Sequence, residues 1–215
     1  VPISAMSATG VGESHRAQTV TMVIMNVGGY ELTDDQKTAL DTEQTNAAFI
    51  IGQKDVLTSA SVGSESGYMN SSNVNAGGWD SCARRTWCNN VYRNAFDEDF
   101  KDIVKQVKVI ASKGSTAHYE TNTSNDYFFL PAEKEIFGSN SYANSTAEAS
   151  LSQWDWYATA TNRIKKPKSG SSAVTWWERS PNTGDSNDFC RVNTDGTARN
   201  YIVSSTYGLA PSGCI

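Results

Sequence analysis

A chain of 215 residues that is 38% hydrophobic, with six Trp, nine Tyr and seven Phe, can bury enough surface for one compact domain spanning residues 1–215, which excludes a disordered chain. A formal net charge of −5 argues against a nucleic-acid partner, because phosphate contacts need clustered Lys and Arg. No apolar run approaches the roughly 20 residues that span a bilayer, so membrane insertion is not expected. The chain opens on Val1, as in a domain cut from a longer protein.

In chain order, residues 1–76 read as strands followed by a loop. Gln18 to Val27 alternates Thr19 and Thr21 against Val20 and Met22, a strand ended by Gly28-Gly29. Asp34, Asp35, Lys37 and Asp41 suit a loop or short helix, Ala47–Ile51 and Val56–Ala60 short strands, and residues 61–78 a long loop. Residues 77–175 carry the helices. A first helix is predicted from an N-cap at Asp80, with Ala83, Trp87, Val91 and Ala95 facing inward. The acidic turn Asp97-Glu98-Asp99 leads to a helical turn and a strand over Gln106–Ile110. Tyr127–Leu130 reads as a strand and Pro131–Phe137 as a helix with Pro in its first turn, closed by Gly138. Ser145 to Glu148 has the spacing of a capping box before a third helix whose stripe is Leu151, Trp154 and Ala158. Beyond Val174 short strand-like pieces alternate with turns, and Asp195-Gly196 marks a hairpin joining Phe189–Asn193 to Ala198–Val203.

Catalytic chemistry finds little support. His15 and His118 are the two histidines, and neither stands in a nucleophile-elbow context. Glu133 and Glu135 fall on opposite sides of a short helix, too far apart in direction to serve one substrate atom. Cys82 and Cys88 are six apart and do not share a helical face; Cys190 and Cys214 could pair if their strands are neighbours, and buried free thiols are the simpler expectation. No metal is expected: there is no zinc spacing, and Asp185, Asp188, Asn193 and Asp195 do not follow a calcium loop. The basic run Arg163, Lys165, Lys166 and Lys168 reads as a solvated helix end. No cofactor is implied.

The segments Trp176-Trp-Glu-Arg-Ser-Pro181, Phe189-Cys-Arg-Val192, Asp195-Gly196 and Gly208-Leu-Ala-Pro-Ser-Gly-Cys-Ile215 resemble the C-type-lectin-like variable proteins of diversity-generating retroelements. Gly77-Gly-Trp-Asp-Ser81 with Arg85 and Trp87, Leu130-Pro-Ala-Glu133 with Phe137-Gly138, and Asn162-Arg-Ile164 extend the resemblance upstream. The resemblance implies an α+β domain of C-type-lectin-like fold, a twisted, mostly antiparallel sheet with two main helices and long C-terminal loops. In such proteins adenine mutagenesis scatters Asn codons into many residues but cannot produce Lys, Glu, Gln, Met or Trp. Residues 1–181 hold 10 Lys, 10 Glu, 6 Gln, 4 Met and 6 Trp, whereas residues 182–215 hold none of the five.

The resemblance divides the variable C-terminal region, residues 176–215, into two sets. Its fixed frame is Trp176, Trp177, Arg179, Pro181, Phe189, Val192, Gly196, Gly208, Leu209, Pro211 and Ile215. The positions open to variation, and so to ligand contact, are Asn182, Thr183, Asp185, Asn187, Asp188, Arg191, Asn193, Thr194, Thr197, Arg199, Asn200, Tyr201, Ile202, Ser204, Ser205, Thr206 and Tyr207. Tyr201, Tyr207 and Arg199 are the expected anchors, since Tyr and Arg dominate hot spots, and Ile202 reads equally well as core. The function implied is non-catalytic recognition of a cell-surface protein or glycan, carried on a phage tail (virion) or an extracellular bacterial surface protein. Three alternatives stay open: a calcium-dependent lectin, whose Glu-Pro-Asn type of motif is missing; a relative of formylglycine-generating enzymes, which need closely spaced C-terminal cysteines; and a purely structural virion domain.

Overall fold

The computed structural model describes residues 18–58 and 67–215, together with the backbone pairing of residues 2–3, 6–7 and 14–15. The expected strand end at residues 59–60, the start of the expected loop at 61–66 and the His15 side chain lie outside the described residues. Near the N-terminus, β1 (Pro2–Ile3) pairs with β4 (Gln18–Thr19), and β2 (Met6–Ser7) with β3 (Ser14–His15).

The architecture is α+β, and all the paired strands run antiparallel. A four-stranded sheet has the order β5-β6-β13-β9, formed by Met22–Val27, Phe49–Gln53, Ser212–Cys214 and Phe128–Phe129. The C-terminal strand is therefore interior to the sheet, with Gly213 between Ile51 on one side and Phe128 on the other. A hairpin of β7 (Val107–Ser112) and β8 (Thr121–Asp126) lies beside it, tied to β13 by the bridge Lys105–Cys214 just before β7 and to the segment after β5 by the bridge Leu32–Val107. A separate three-stranded sheet, β10-β11-β12, is made of Trp176–Pro181, Asp188–Val192 and Ala198–Ile202.

The helices are short: α1 (Asp34–Leu40), α2 (Ala83–Thr86), α3 (Glu98–Ile103), α4 (Glu133–Phe137) and α5 (Asp155–Ala158). Helices of this length are not stable by propensity and persist because tertiary packing holds them. Their ends carry local signals: Thr33 accepts from the Gln36 N–H at the start of α1, Asp97 from the Phe100 N–H at the start of α3, and Gly138 closes α4 with φ 77°. One core unites the elements, with Trp79, Trp87, Trp176, Trp177, Tyr92, Tyr157, Phe128, Phe129 and Phe189 all fully buried.

Several expectations are corrected. Of the expected Val56–Ala60 strand, the described residues 56–58 show a single bridge, Leu57 to Leu209. The first helix starts at Ala83, not after Asp80: residues 76–81 form turns with Gly77 and Gly78 at positive φ, and the distant Asn70 Oδ1 takes the Ala83 N–H at 2.8 Å. That helix widens into a π-turn over Trp87–Tyr92, which turns Trp87, Cys88, Val91 and Tyr92 all inward and so buries Cys88 as well as Cys82. Pro131 precedes α4 and offers its carbonyl to the Arg179 N–H. The capping box at Ser145 does not start a helix; residues 145–150 are turns, and the Glu148 carboxylate serves Ser180, Asn140 and the Lys134 N–H instead. The third helix is only α5, with Trp154 buried just before it and Ala158 exposed. The basic run is not a solvated helix end. Lys165 is 2% exposed and donates to the carbonyls of Gln53 and Lys54, while Lys166 and Lys168 face solvent. The polar strand β8 carries no apolar alternation that would have announced it.

Candidate functional site

The site is built on β10, which is buried at every position from Trp176 to Pro181. Such a strand needs partners for its polar groups, and all of its polar side chains except Glu178 have them. The Trp176 indole N–H donates to the Arg163 carbonyl at 2.9 Å, and that of Trp177 to the Gly67 carbonyl. Arg179 reaches Glu135, the Leu130 and Ile110 carbonyls and the Tyr30 hydroxyl, so one side chain ties β10 to α4, β9 and β7. Ser180 accepts from the Glu133 N–H and donates to Glu148. Glu133 is held by the Tyr142 and Ala143 N–H groups, whereas Glu135 faces Arg179. The two are thus aimed apart, as their spacing suggested, but both are buried. Among the described residues neither carboxylate oxygen of Glu178 has a hydrogen-bond partner, and burial beside Glu133 and Glu148 pushes its pKa well above the ordinary carboxylate value.

Strand alternation sends successive side chains of β11 and β12 to opposite faces. On one face, Trp177 lies opposite Arg191, Arg191 opposite Arg199, and Phe189 opposite Tyr201. The Arg191 guanidinium sits 5.3 Å from the Tyr201 ring centroid and 5.0 Å from that of Tyr207, a cation–π arrangement with both. Tyr207 packs edge-on against Trp177 at 4.9 Å and against Tyr201 at 5.8 Å. Hydrogen bonds from Arg191 to the Asn200 carbonyl, Thr175 Oγ1 and Asn193 Oδ1 fix its plane. Beside it opens a groove of about 330 Å³ lined by Thr58, Val174, Thr175, Thr194, Thr206 and Tyr207. Of the expected anchors, Tyr201 and Tyr207 touch, and Arg199 shares their face.

On the opposite face, Asn200 donates to Asp188 at 2.7 Å, and Ile202 pairs with Asp188, half-buried. Burial next to Asp185 raises the pKa of Asp188. The loop between β10 and β11 is gathered by Asn75, a buried residue inside the stretch read as a featureless loop. Its amide nitrogen faces the carbonyls of Asn182, Asp185 and Asp188 at 3.3, 2.9 and 2.8 Å, and its oxygen accepts the Ser115 N–H. Asn75 and Thr175 escaped sequence reasoning because a lone Asn or Thr in a polar stretch has no periodicity to betray its partners.

Among the positions expected to vary, Asn182 departs most from a display role. It is 5% exposed, bridges to Ala143, and spends its side-chain oxygen on the Gly184 and Asp185 N–H groups. Thr183 follows it against Tyr142. Asp185, Thr194, Thr197, Arg199, Tyr201, Ser204 and Thr206 are exposed, and Asn187, Asp188, Arg191, Asn193, Asn200, Ile202, Ser205 and Tyr207 partly so. Every frame residue is buried except Ile215, which is partly so. Asp195 closes the hairpin, binding Thr197, at the end of β11 remote from Asp185 and Asp188, so these acids do not gather around one point. Cys190 and Cys214 lie in different sheets and are not joined by a disulfide, nor are Cys82 and Cys88. His118 faces the Ser115 carbonyl from a turn.

No curated protein and no solved structure matches this chain. Residues 46–215 match one family model, from β6 through the C-terminal strand, and so cover the whole three-stranded sheet and every strand of the four-stranded sheet except β5. The chain belongs to that family, described as a domain of unknown function, DUF6273.

Proposed function

We propose that this protein is a non-catalytic recognition domain of C-type-lectin-like fold. It presents a diversified C-terminal surface to a cell-surface protein or glycan, as in the variable proteins of diversity-generating retroelements, and is carried on a phage tail or a bacterial surface protein. One observation supports this above others. Within 182–215, the segment that lacks Lys, Glu, Gln, Met and Trp, burial separates an apolar and glycine frame from exposed or partly exposed polar, Tyr and Arg positions of the set open to variation, Asn182 excepted. A rigid frame with interchangeable side chains is what selective recognition without chemistry requires. Frame positions resist substitution for local reasons. A Cβ on Gly208 would sit 2.3 Å from Val56 Cγ2, and Gly196 holds φ 82° at the hairpin turn.

The test is retention of the labelled protein on a panel of intact bacterial cells. Retention on at least one strain, lost on Tyr201→Ala with Tyr207→Ala and kept on Ser72→Ala, which lies outside the C-terminal region, is the expected result. Retention on no strain, or retention indifferent to the tyrosines, would overturn the reading. A neighbouring reverse transcriptase gene with a near-copy of the 3′ coding sequence, differing at adenines, is the expected genomic companion.

A further inference from the structure

We infer that the Arg191–Arg199 face binds a carboxylate-bearing sugar of a surface glycan, with Tyr201 and Tyr207 as its stacking platform. This rests on the recognition reading and narrows it to one ligand chemistry. Arg191 and Arg199 stand directly opposite each other on adjacent strands, a placement in which like charges repel. Neither forms an ion pair among the described residues, in a chain whose net charge is −5. Asp195 feels the Arg199 charge but directs its hydrogen bonds to Thr197. Asp188 and Glu178, which feel Arg191, belong to the opposite face and the interior. Two guanidinium groups on one face, neither in an ion pair among the described residues, therefore offer a site to an anion from outside.

The geometry of Arg191 is that of a held donor. Its Nε and Nη1 are engaged by Asn200, Asn193 and Thr175 between the two tyrosine rings, while Nη2 makes no hydrogen bond among the described residues and is open to solvent. Holding the guanidinium in place beforehand reduces the ordering cost of binding. The adjoining groove of about 330 Å³ suits a ligand of one or two sugar rings. The hydroxyl-bearing side chains Thr175, Thr194, Thr206 and Tyr207 line it. Sugar hydroxyls exchange hydrogen bonds with such side chains, while the C–H face of a pyranose lies against an aromatic ring. The carboxylate then reaches Nη2 of Arg191 and the guanidinium of Arg199.

Isothermal titration calorimetry with hyaluronan hexasaccharide, trigalacturonate and sialyllactose as acidic probes, chitohexaose as the neutral probe and a polyglutamate peptide tests this directly. At least one acidic saccharide is expected to bind. Its affinity should exceed that for chitohexaose by tenfold or more, fall by tenfold or more in Arg199→Ala, and weaken with salt. Arg199 is exposed, and among the described residues its side chain hydrogen-bonds only to the neighbouring Ala198 carbonyl, so Arg199→Ala should fold normally, as circular dichroism would verify. Binding of none of the acidic saccharides, equal binding of chitohexaose, or preference for polyglutamate overturns the inference. The broader recognition reading is then decided separately by the cell-retention assay.

Discussion

Arg179 and Glu135 meet in the interior as a two-point ion pair, Nη1 to Oε2 at 2.6 Å and Nη2 to Oε1 at 3.0 Å. Their side chains are 0% and 2% exposed. Burial pushes the Glu135 carboxyl up and the guanidinium opposes that shift. Because both ions are removed from water, deleting one strands the other. Glu135→Gln is expected to cost about 3–5 kcal/mol of stability, read by urea denaturation at neutral pH. A loss under about 1 kcal/mol would show that the pair does not hold the three-stranded sheet to the rest of the core.

Glu178 makes the opposite prediction. Its folded pKa lies well above the unfolded value, so its contribution is complete below the unfolded pKa, near 4.3, and is lost as pH rises toward the folded pKa. Glu178→Gln should therefore be more stable than the parent at pH 8, with the difference shrinking toward zero by pH 4. The slope of that difference cannot exceed about 1.4 kcal/mol per pH unit for one group. Parallel denaturation curves at pH 4, 6 and 8 measure it, and a pH-independent difference would refute the assignment.

Lys165 titrates the other way. Burial pulls its pKa down to about 7 while the Asp55 charge resists. The unfolded state then binds more protons between about pH 7 and the ordinary lysine value near 10.4, so stability from this group rises with pH through that window. Lys165→Met, which lacks the titration, should lose ground to the parent between pH 7 and 9.5, as thermal melts at each pH would show. It also leaves the Gln53 and Lys54 carbonyls without their donor, a pH-independent loss of about 1–3 kcal/mol.

Asn75→Ala removes the amide that gathers the carbonyls of Asn182, Asp185 and Asp188. A loss of about 1–3 kcal/mol is expected. Hydrogen exchange should quicken first at the Asn182 and Asp188 N–H groups, which now bond to Asp188 and Asp185. Uniform quickening across β7 and β8 instead would mean that Asn75 acts on global stability rather than on the loop.

Changes at the exposed Thr194, Thr197 and Ser204 should stay within about 0.5 kcal/mol of the parent, whereas Phe189→Ala, with its side chain fully buried, should cost about 3–5 kcal/mol. Thermal denaturation of the four variants checks the contrast on which the recognition reading depends.

The features legible in the residues alone are those with local physics. The Asp195-Gly196 hairpin appears as foreseen, a turn closed by the Gly196 N–H on the Asn193 carbonyl with glycine at positive φ, and β11 and β12 begin and end within one residue of expectation. The Gly138 cap and the inward Trp87, Val91 and Ala95 are equally local signals. Tertiary structure decided the rest, because it turns on partners far apart in the chain. Glu148 was drawn from a capping box to Ser180, Lys165 from the surface to the Gln53 carbonyl, and the 182–188 loop to Asn75, 107 to 113 residues away for its three carbonyls. Sequence spacing records which residues can share a helix face or a turn. It carries no record of which buried polar group finds its hydrogen-bond partner across the fold, and here those choices shape the surface.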